Sequence, residues 1–184
     1  MIVGLFGVSG SGKTHLSSSL CAKYDILSVR ASQIIEIYGH EIEYHRLNKN
    51  VLDKNQSILI YGLKRLKENN PDKIIIIELH NIIETPEGVV DIEPKILYSL
   101  NLKAVCFLDV KVELLYSHRM NDKIKNRPNK NLQELESLQS KSRLRFEEDF
   151  RHSKITYTIL KDNPLQELEC FLKSLVNLYP KHDI

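Results

Sequence analysis

Eight residues near the start of the chain leave little freedom in how it can fold. Gly7-Val8-Ser9-Gly10-Ser11-Gly12-Lys13-Thr14 satisfies G-x-x-x-x-G-K-[ST] at every fixed position. The flanks agree: the apolar run Ile2–Phe6 precedes it, and a helical pattern, Lys13–Lys23, follows. Four of the seven glycines fall in the first twelve positions, where backbone must bend sharply or approach a ligand. Gly4 lies inside the apolar run and suits close packing. The spacing dictates a strand, an inward-turned nest of backbone N–H groups, and a helix whose N-terminus adds positive charge at the same point. In such a loop Lys13 reaches β- and γ-phosphates and the Thr14 hydroxyl ligates Mg²⁺. The ATP-binding set is therefore Gly7, Val8, Ser9, Gly10, Ser11, Gly12, Lys13, Thr14 and the adjoining His15.

The remainder of the 184 residues continues the alternation. Apolar, β-branched runs recur at Ile26–Val29, Ile74–Ile77, Ala104–Leu108 and Ile155–Leu160, as expected of strands covered on both faces. Helices are expected at Ser32–Ile37 with Ser32 as cap, Asp53–Glu68 before Pro71, Val110–Met120 capped by Asp109, Asn131–Phe150, and Pro164–Leu178. The pattern β-α-β-α-β-α-β-α-β-α predicts a three-layer α/β/α fold around a mostly parallel five-stranded sheet. The length suits one domain, 1–184, with a short lid segment at about 119–131. Within that lid, Asn121–Asn131 is almost devoid of apolar residues and is broken by Pro128.

Composition excludes other classes. Hydrophobic residues at 42% and charged residues at 27% are ordinary for a globular chain, which argues against disorder. A net charge of +2 spread along the chain gives no footprint for nucleic acid. The longest aliphatic run, Ile74–Ile77, is far short of a membrane span, and no basic leader precedes the apolar start. The three cysteines, Cys21, Cys106 and Cys170, show no pairing or metal-ligand spacing. A cytoplasmic protein is expected, with self-association left open.

The loop names a ligand class but not a reaction. A guanine-reading Asn-Lys-x-Asp is absent, and a motor of the AAA type needs more chain. A small kinase needs the loop, a metal-orienting acid and arginines to hold the moving phosphoryl group. Arg119 and Arg127 flank the polar segment and Arg143 follows it. With Lys13 these form the candidate catalytic set, because planar guanidinium groups suit developing phosphoryl charge. Glu78 ends an aliphatic strand, where it can orient Mg²⁺ with Thr14 or position the acceptor. His80 is two residues further on.

At this point the residues resemble the archaeal-type adenylate kinases, a branch of the P-loop nucleoside monophosphate kinases. GVSGSGKT, IIIIELHNIIETPEGVV, LKAVCFLDVKVELLYSHRMND and the Gln139-Ser140-Lys141-Ser142-Arg143 element follow that family's order. The resemblance implies donor phosphates on the loop, phosphate-gripping Arg119, Arg127 and Arg143, acceptor-base recognition at Gln56, and a donor base near Asn163. Arg30 is the candidate contact for an acceptor phosphate. The chain departs from the family at Glu78 (usually Asp), at His118 and Asn121 (usually Arg), at Ser142 (usually Asn) and at Val29-Arg30-Ala31-Ser32, which lacks Gly-Asp.

The sequence therefore predicts an ATP- and Mg²⁺-dependent small-molecule kinase with a nucleoside monophosphate as acceptor. Two rival readings remain. One is a kinase for a deoxynucleotide or non-nucleotide metabolite. The other is an ATP-binding switch or slow ATPase acting on a protein partner, motivated by the altered acceptor region and less basic lid.

Overall fold

The computed structural model describes residues 1–39, 42, 47–122 and 128–181. Five parallel strands form the central sheet: β1 (Ile2–Phe6), β2 (Ile26–Arg30), β3 (Ile74–Leu79), β6 (Ala104–Leu108) and β7 (Thr156–Leu160). Their order is β2-β3-β1-β6-β7. β1 is central, and its register runs from Ile2 beside Ile75 to Phe6 beside Leu79 on one flank and Phe107 on the other. The inner strands β1 and β6 are buried throughout, while the edge strands β2 and β7 are only half-buried. Continuous apolar runs thus mark the strands with neighbours on both sides and helices on both faces.

The helices are α1 (Lys13–Lys23), α2 (Ala31–Tyr38), α3 (Lys49–Asn69), α4 (Pro94–Ser99), α5 (Val112–Asn121), α6 (Leu132–Arg151) and α7 (Pro164–Leu175). One face of the sheet buries Leu16, Leu20 and Tyr24 from the α1 side against Leu168 and Leu172 of α7. The other face packs Ile34, Leu59, Leu63 and Leu97 of α2, α3 and α4 with Phe146 and Phe150 of α6. Phe146 is the hub of that layer, with ring centroids 5.3 Å from Phe6, 5.4 Å from Phe107 and 5.0 Å from Phe150. A third cluster, Val8, Ile82, Leu115, Leu135 and Leu138, closes the end of the sheet where β1 runs into the loop.

The three-layer architecture expected from the sequence is observed, with several local corrections. A two-stranded antiparallel hairpin, β4 (Ile82–Thr85) and β5 (Gly88–Asp91), and the short α4 interrupt the simple alternation. Their segments are short and half-exposed, so they carry no long apolar run. Asp109 does not cap α5: the cap position is Lys111, and the Asp109 carboxylate accepts from Arg143 at 3.1 Å. Ser32 lies inside α2, whose cap position is Arg30. α3 begins at Lys49 because the Asn48 side chain accepts from the Val51 N–H at 3.1 Å. α6 starts at a reciprocal capping box: Asn131 Oδ1 accepts from the Glu134 N–H, and Glu134 Oε2 accepts from the Asn131 N–H. α7 stops at Leu175, three residues before the expected Leu178.

Candidate functional site

Every parallel strand points its C-terminal end at one edge of the sheet, where the loop Gly7–Thr14 joins β1 to α1. A cleft of about 1060 Å³ opens there. Its floor is the loop, through Val8, Ser9, Gly10, Gly12, Lys13 and Thr14, with His15 beside them. Gly10 and Gly12 take φ near +93° and +94°, left-handed backbone that glycine reaches without strain. Gly7 and Ser11 are set below this surface, and the buried Ser11 hydroxyl faces Gly7 and has no hydrogen-bond partner.

Lys13 is buried, and its ammonium donates to the carbonyls of Gly7 at 2.8 Å and Val8 at 3.0 Å. The charge is thereby held over the loop before any ligand arrives. Opposite it, the Thr14 hydroxyl donates to Glu78 Oε2 at 2.7 Å and the Ser17 hydroxyl to Oε1 at 2.9 Å. Glu78 is only 6% exposed, so two hydroxyls replace the water its carboxylate has lost. Ser17, one turn into α1, was missed in the sequence because a serine within a helix carries no signature of its own. A hydroxyl and a carboxylate touching at a phosphate loop are hard oxygen donors suited to Mg²⁺. No group of three or more His, Cys, Asp or Glu side chains forms a metal cage among the described residues. Magnesium commonly takes few protein ligands and fills its remaining positions with water and phosphate.

One wall of the cleft rises from β2 and α2. Arg30, Ser32 and Glu36 line it, with His80 and Ile82 from the end of β3 and the start of β4. Arg30 is thus in the cleft, and β2 sets it in register with Glu78 on β3. Gln56 is on α3, half-buried, and does not line the cleft. The opposite wall comes from the end of α5, as His118, Asn121 and Asp122, together with Pro128. Arg127 lies outside the described residues.

The other candidate arginines are engaged elsewhere. Arg119 makes a two-pronged ion pair with Glu84 of β4, at 2.9 and 3.1 Å, and donates to the Pro128 carbonyl at 3.3 Å. Its stem presses on the loop, since a Cβ on Gly10 would meet Arg119 Cγ at 2.7 Å. Arg143 pairs with Asp109 at the foot of the β6–α5 connection and does not line the cleft. Within the same helix, the Ser142 hydroxyl donates to Asn81 Oδ1 at 2.6 Å, and Asn81 Nδ2 donates to the Ser142 carbonyl at 2.7 Å. Both residues are fully buried, so this pair fastens α6 to the end of β3. Gln139 adds a bond from Nε2 to the Val110 carbonyl at 2.6 Å. The Gln139–Arg143 element thus ties α6 to the strand ends.

Asn163 precedes α7 and is exposed. Its N–H, with those of Lys161 and Asp162, donates to the Glu167 carboxylate. Those bonds, the one from Asn163 foremost, hold the Glu167 carboxyl below the usual carboxylate range. The loop is preformed, but its amides are already used. Sequence reading also passed over Glu84, which lines the cleft, and treated His118 only as a departure from a pattern. The signal available for Glu84 was the Thr85-Pro86-Glu87-Gly88 turn, which places a carboxylate at the mouth of a hairpin.

Comparison with known proteins fits this geometry. The profile of a family described as "AAA domain" matches residues 6–136, more than half of the chain and all of the phosphate loop beyond β1. The chain belongs to this AAA domain family. Length argued against an AAA-type motor, and the membership holds at the level of the nucleotide-binding domain. No curated protein matches the chain. Among solved structures, deoxyadenosine kinase from M. mycoides with bound dATP superposes with a TM-score of 0.58 at 16% identity, covering 95% of this chain and 99% of that one. Shikimate kinase from Aquifex aeolicus gives 0.55 at 18%, covering 95% and 96%. A sugar kinase from Janibacter sp. gives 0.56 at 16%, covering 95% and 93%. At such identities the likeness establishes a shared P-loop kinase fold. Among the described residues, no helix is long and apolar enough to cross a membrane.

Proposed function

We propose that the protein is an ATP-dependent small-molecule kinase. The observation that carries this reading is the Thr14–Glu78–Ser17 contact beside the buried Lys13, on the floor of a cleft of about 1060 Å³. That volume is at the upper end of what one ligand fills, about 300–1,000 Å³, so donor and acceptor have room together. The triphosphate lies on the loop, with its amides and Lys13 on the phosphate oxygens. Thr14 and Glu78 are the residues that would hold Mg²⁺, whose charge, when bound, neutralises the phosphate oxygens. The acceptor enters between α2 and the loop, where Arg30, Ser32 and Glu36 meet it. An acceptor oxygen attacks the γ-phosphorus in line. Its bond to phosphorus forms as the bridging oxygen departs with ADP, and the protein's part is alignment and charge stabilisation.

The resemblance to adenylate kinases supports a nucleoside monophosphate as acceptor. A deoxynucleotide or non-nucleotide metabolite is the second reading, favoured by a wall that carries a carboxylate, Glu36, as well as Arg30. The three cysteines are unpaired, and Cys106 is buried within β6, which suits the reducing cytoplasm.

The test is ADP formation from MgATP across ribo- and deoxynucleoside monophosphates, nucleosides and polyhydroxy compounds. One acceptor is expected to raise the rate well above the basal ATPase. Lys13→Met is expected to lower that rate by about 10²–10³-fold while the thermal transition is kept. Silence with every acceptor, alongside tight ATP binding, would move the protein to the switch reading.

A further inference from the structure

Strand alternation turns one acid of β3 toward α1. Ile75, Ile77 and Leu79 pack on the α6 side of the sheet, whereas Ile76 packs with Leu16 and Leu20 of α1. Glu78, two residues after Ile76, shares its face. On α1, Thr14 and Ser17 stand three residues apart, so both hydroxyls lie on one side of the helix. They take the two ends of one carboxylate: Thr14 donates to Oε2 at 2.7 Å and Ser17 to Oε1 at 2.9 Å. The two ends differ in what lies beyond them. Thr14 and Glu78 line the cleft, whereas Ser17 does not and is fully buried. One hydroxyl of the pair therefore stands where a ligand can reach it, and the other holds the same carboxylate from inside the protein.

We propose that Ser17 is a positioning residue for the metal of the bound nucleotide: by holding Glu78 Oε1 inside the protein, it aims Oε2, beside the Thr14 hydroxyl, at Mg²⁺. The proposal rests on the reading that the loop binds ATP with Mg²⁺ at Thr14 and Glu78, and it adds a residue that touches neither ligand. A carboxylate oxygen that accepts one hydrogen bond keeps further accepting capacity. Oε2 can therefore accept from Thr14 and still serve the metal or one of its waters.

The side chain being aimed makes this help matter. Glutamate is among the side chains with the most rotamer freedom to lose, so its carboxylate needs a second anchor to keep one direction. Groups that hydrogen-bond a metal's ligand without touching the metal set that ligand's orientation, and their removal weakens metal binding about 10–100-fold. Ser17 has another acceptor within reach, the Thr14 carbonyl at 3.2 Å. A hydroxyl has one proton to give, and the shorter, charge-assisted contact with Glu78 receives it. The same serine thus joins the first turn of α1 to the end of β3, across 61 positions of sequence. A serine that merely fastened the helix to the strand would make the same contacts, and dependence on the metal separates the two roles.

Equilibrium binding of ATP is measured by calorimetry with excess Mg²⁺ and, separately, with a chelator in place of the metal. The proteins are the unmodified chain, S17A, E78A and the double variant S17A/E78A. S17A is expected to weaken binding about tenfold in Mg²⁺ and to leave metal-free binding within about twofold of the unmodified value, well inside the tenfold effect. With Glu78 removed there is nothing left to aim, so S17A/E78A is expected to bind MgATP as E78A does. If S17A does not fold, S17C carries the test: it keeps the volume and offers only a weak donor, and the same metal-selective loss is expected. Equal weakening with and without Mg²⁺ overturns the proposal and leaves Ser17 as a fastening between α1 and β3, with the kinase reading intact. A further tenfold loss on adding S17A to E78A overturns it as well, because Ser17 would then act apart from Glu78. Absence of ATP binding by the unmodified protein overturns the kinase reading itself.

Discussion

A single carbon decides what the loop tolerates. Gly10 and Gly88 both have positive φ, +93° and +131°, yet their surroundings differ. A Cβ on Gly88 meets nothing within 4 Å, whereas one on Gly10 lands 2.7 Å from Arg119 Cγ. That carbon cannot swing aside, because the guanidinium beyond it is held at two points by Glu84. Gly88→Ala is expected to cost only backbone strain, about 1 kcal/mol, with MgATP affinity unchanged. Gly10→Ala is expected to cost about 2–3 kcal/mol and to weaken MgATP binding at least tenfold, read by thermal melting and calorimetry. Equal effects at the two glycines would show that Arg119 does not brace the loop. The loop itself was legible in the sequence because each of its residues answers a local need. What bears on the loop was not, since Arg119 is more than a hundred positions away and its spacing says nothing of its partner.

At the scale of elements, the β4–β5 hairpin is joined to α5 by a nearly buried ion pair, with Arg119 and Glu84 side chains 6% and 9% exposed. Removing one member strands the other without water. Glu84→Ala is expected to destabilise the fold by about 3 kcal/mol. The double variant Glu84→Ala/Arg119→Met is expected to recover part of that loss, leaving a coupling energy of about 2 kcal/mol in a denaturant-based cycle. Additive losses would mean that the pair contributes no interaction of its own. The hairpin was hard to read in the sequence for the same reason that it is thin: four-residue strands with exposed positions such as Val89 carry no hydrophobic period. The five sheet strands were legible because burial on both faces writes itself as a continuous apolar run. Asp109 misled as a helix cap because its type fits a cap, while the deciding fact, Arg143 arriving from α6, is tertiary.

At the scale of the whole molecule, the two helices on one face of the sheet are clasped by a charged seam. The Tyr24 hydroxyl donates to Glu169 Oε1 at 2.6 Å, and Lys23 and Lys173 donate to the same carboxylate at 2.9 and 2.7 Å. Lys173 first, then Tyr24 and Lys23, hold the Glu169 carboxyl down at about 2. A lowered carboxyl stabilises the fold above its unfolded value and stops doing so as pH falls through the folded one. The Tm of the unmodified protein is thus expected to exceed that of Glu169→Gln at neutral pH, by an amount equivalent to about 1 kcal/mol for an exposed network. The gap should close between about pH 4.5 and about pH 2. A gap unchanged by acid would show that the carboxylate's charge is not what joins α1 to α7. Strand order has a wider consequence. With β1 in the middle, the cleft walls proposed to receive the acceptor hang from β2 and β3 on one flank, and those proposed to cover the nucleotide hang from β6 on the other. On the proposed kinase reading, natural variation can redraw one jaw of the vise while the anvil and the opposite jaw stay as they are, so a new substrate would require no rebuilding of what delivers the phosphoryl group.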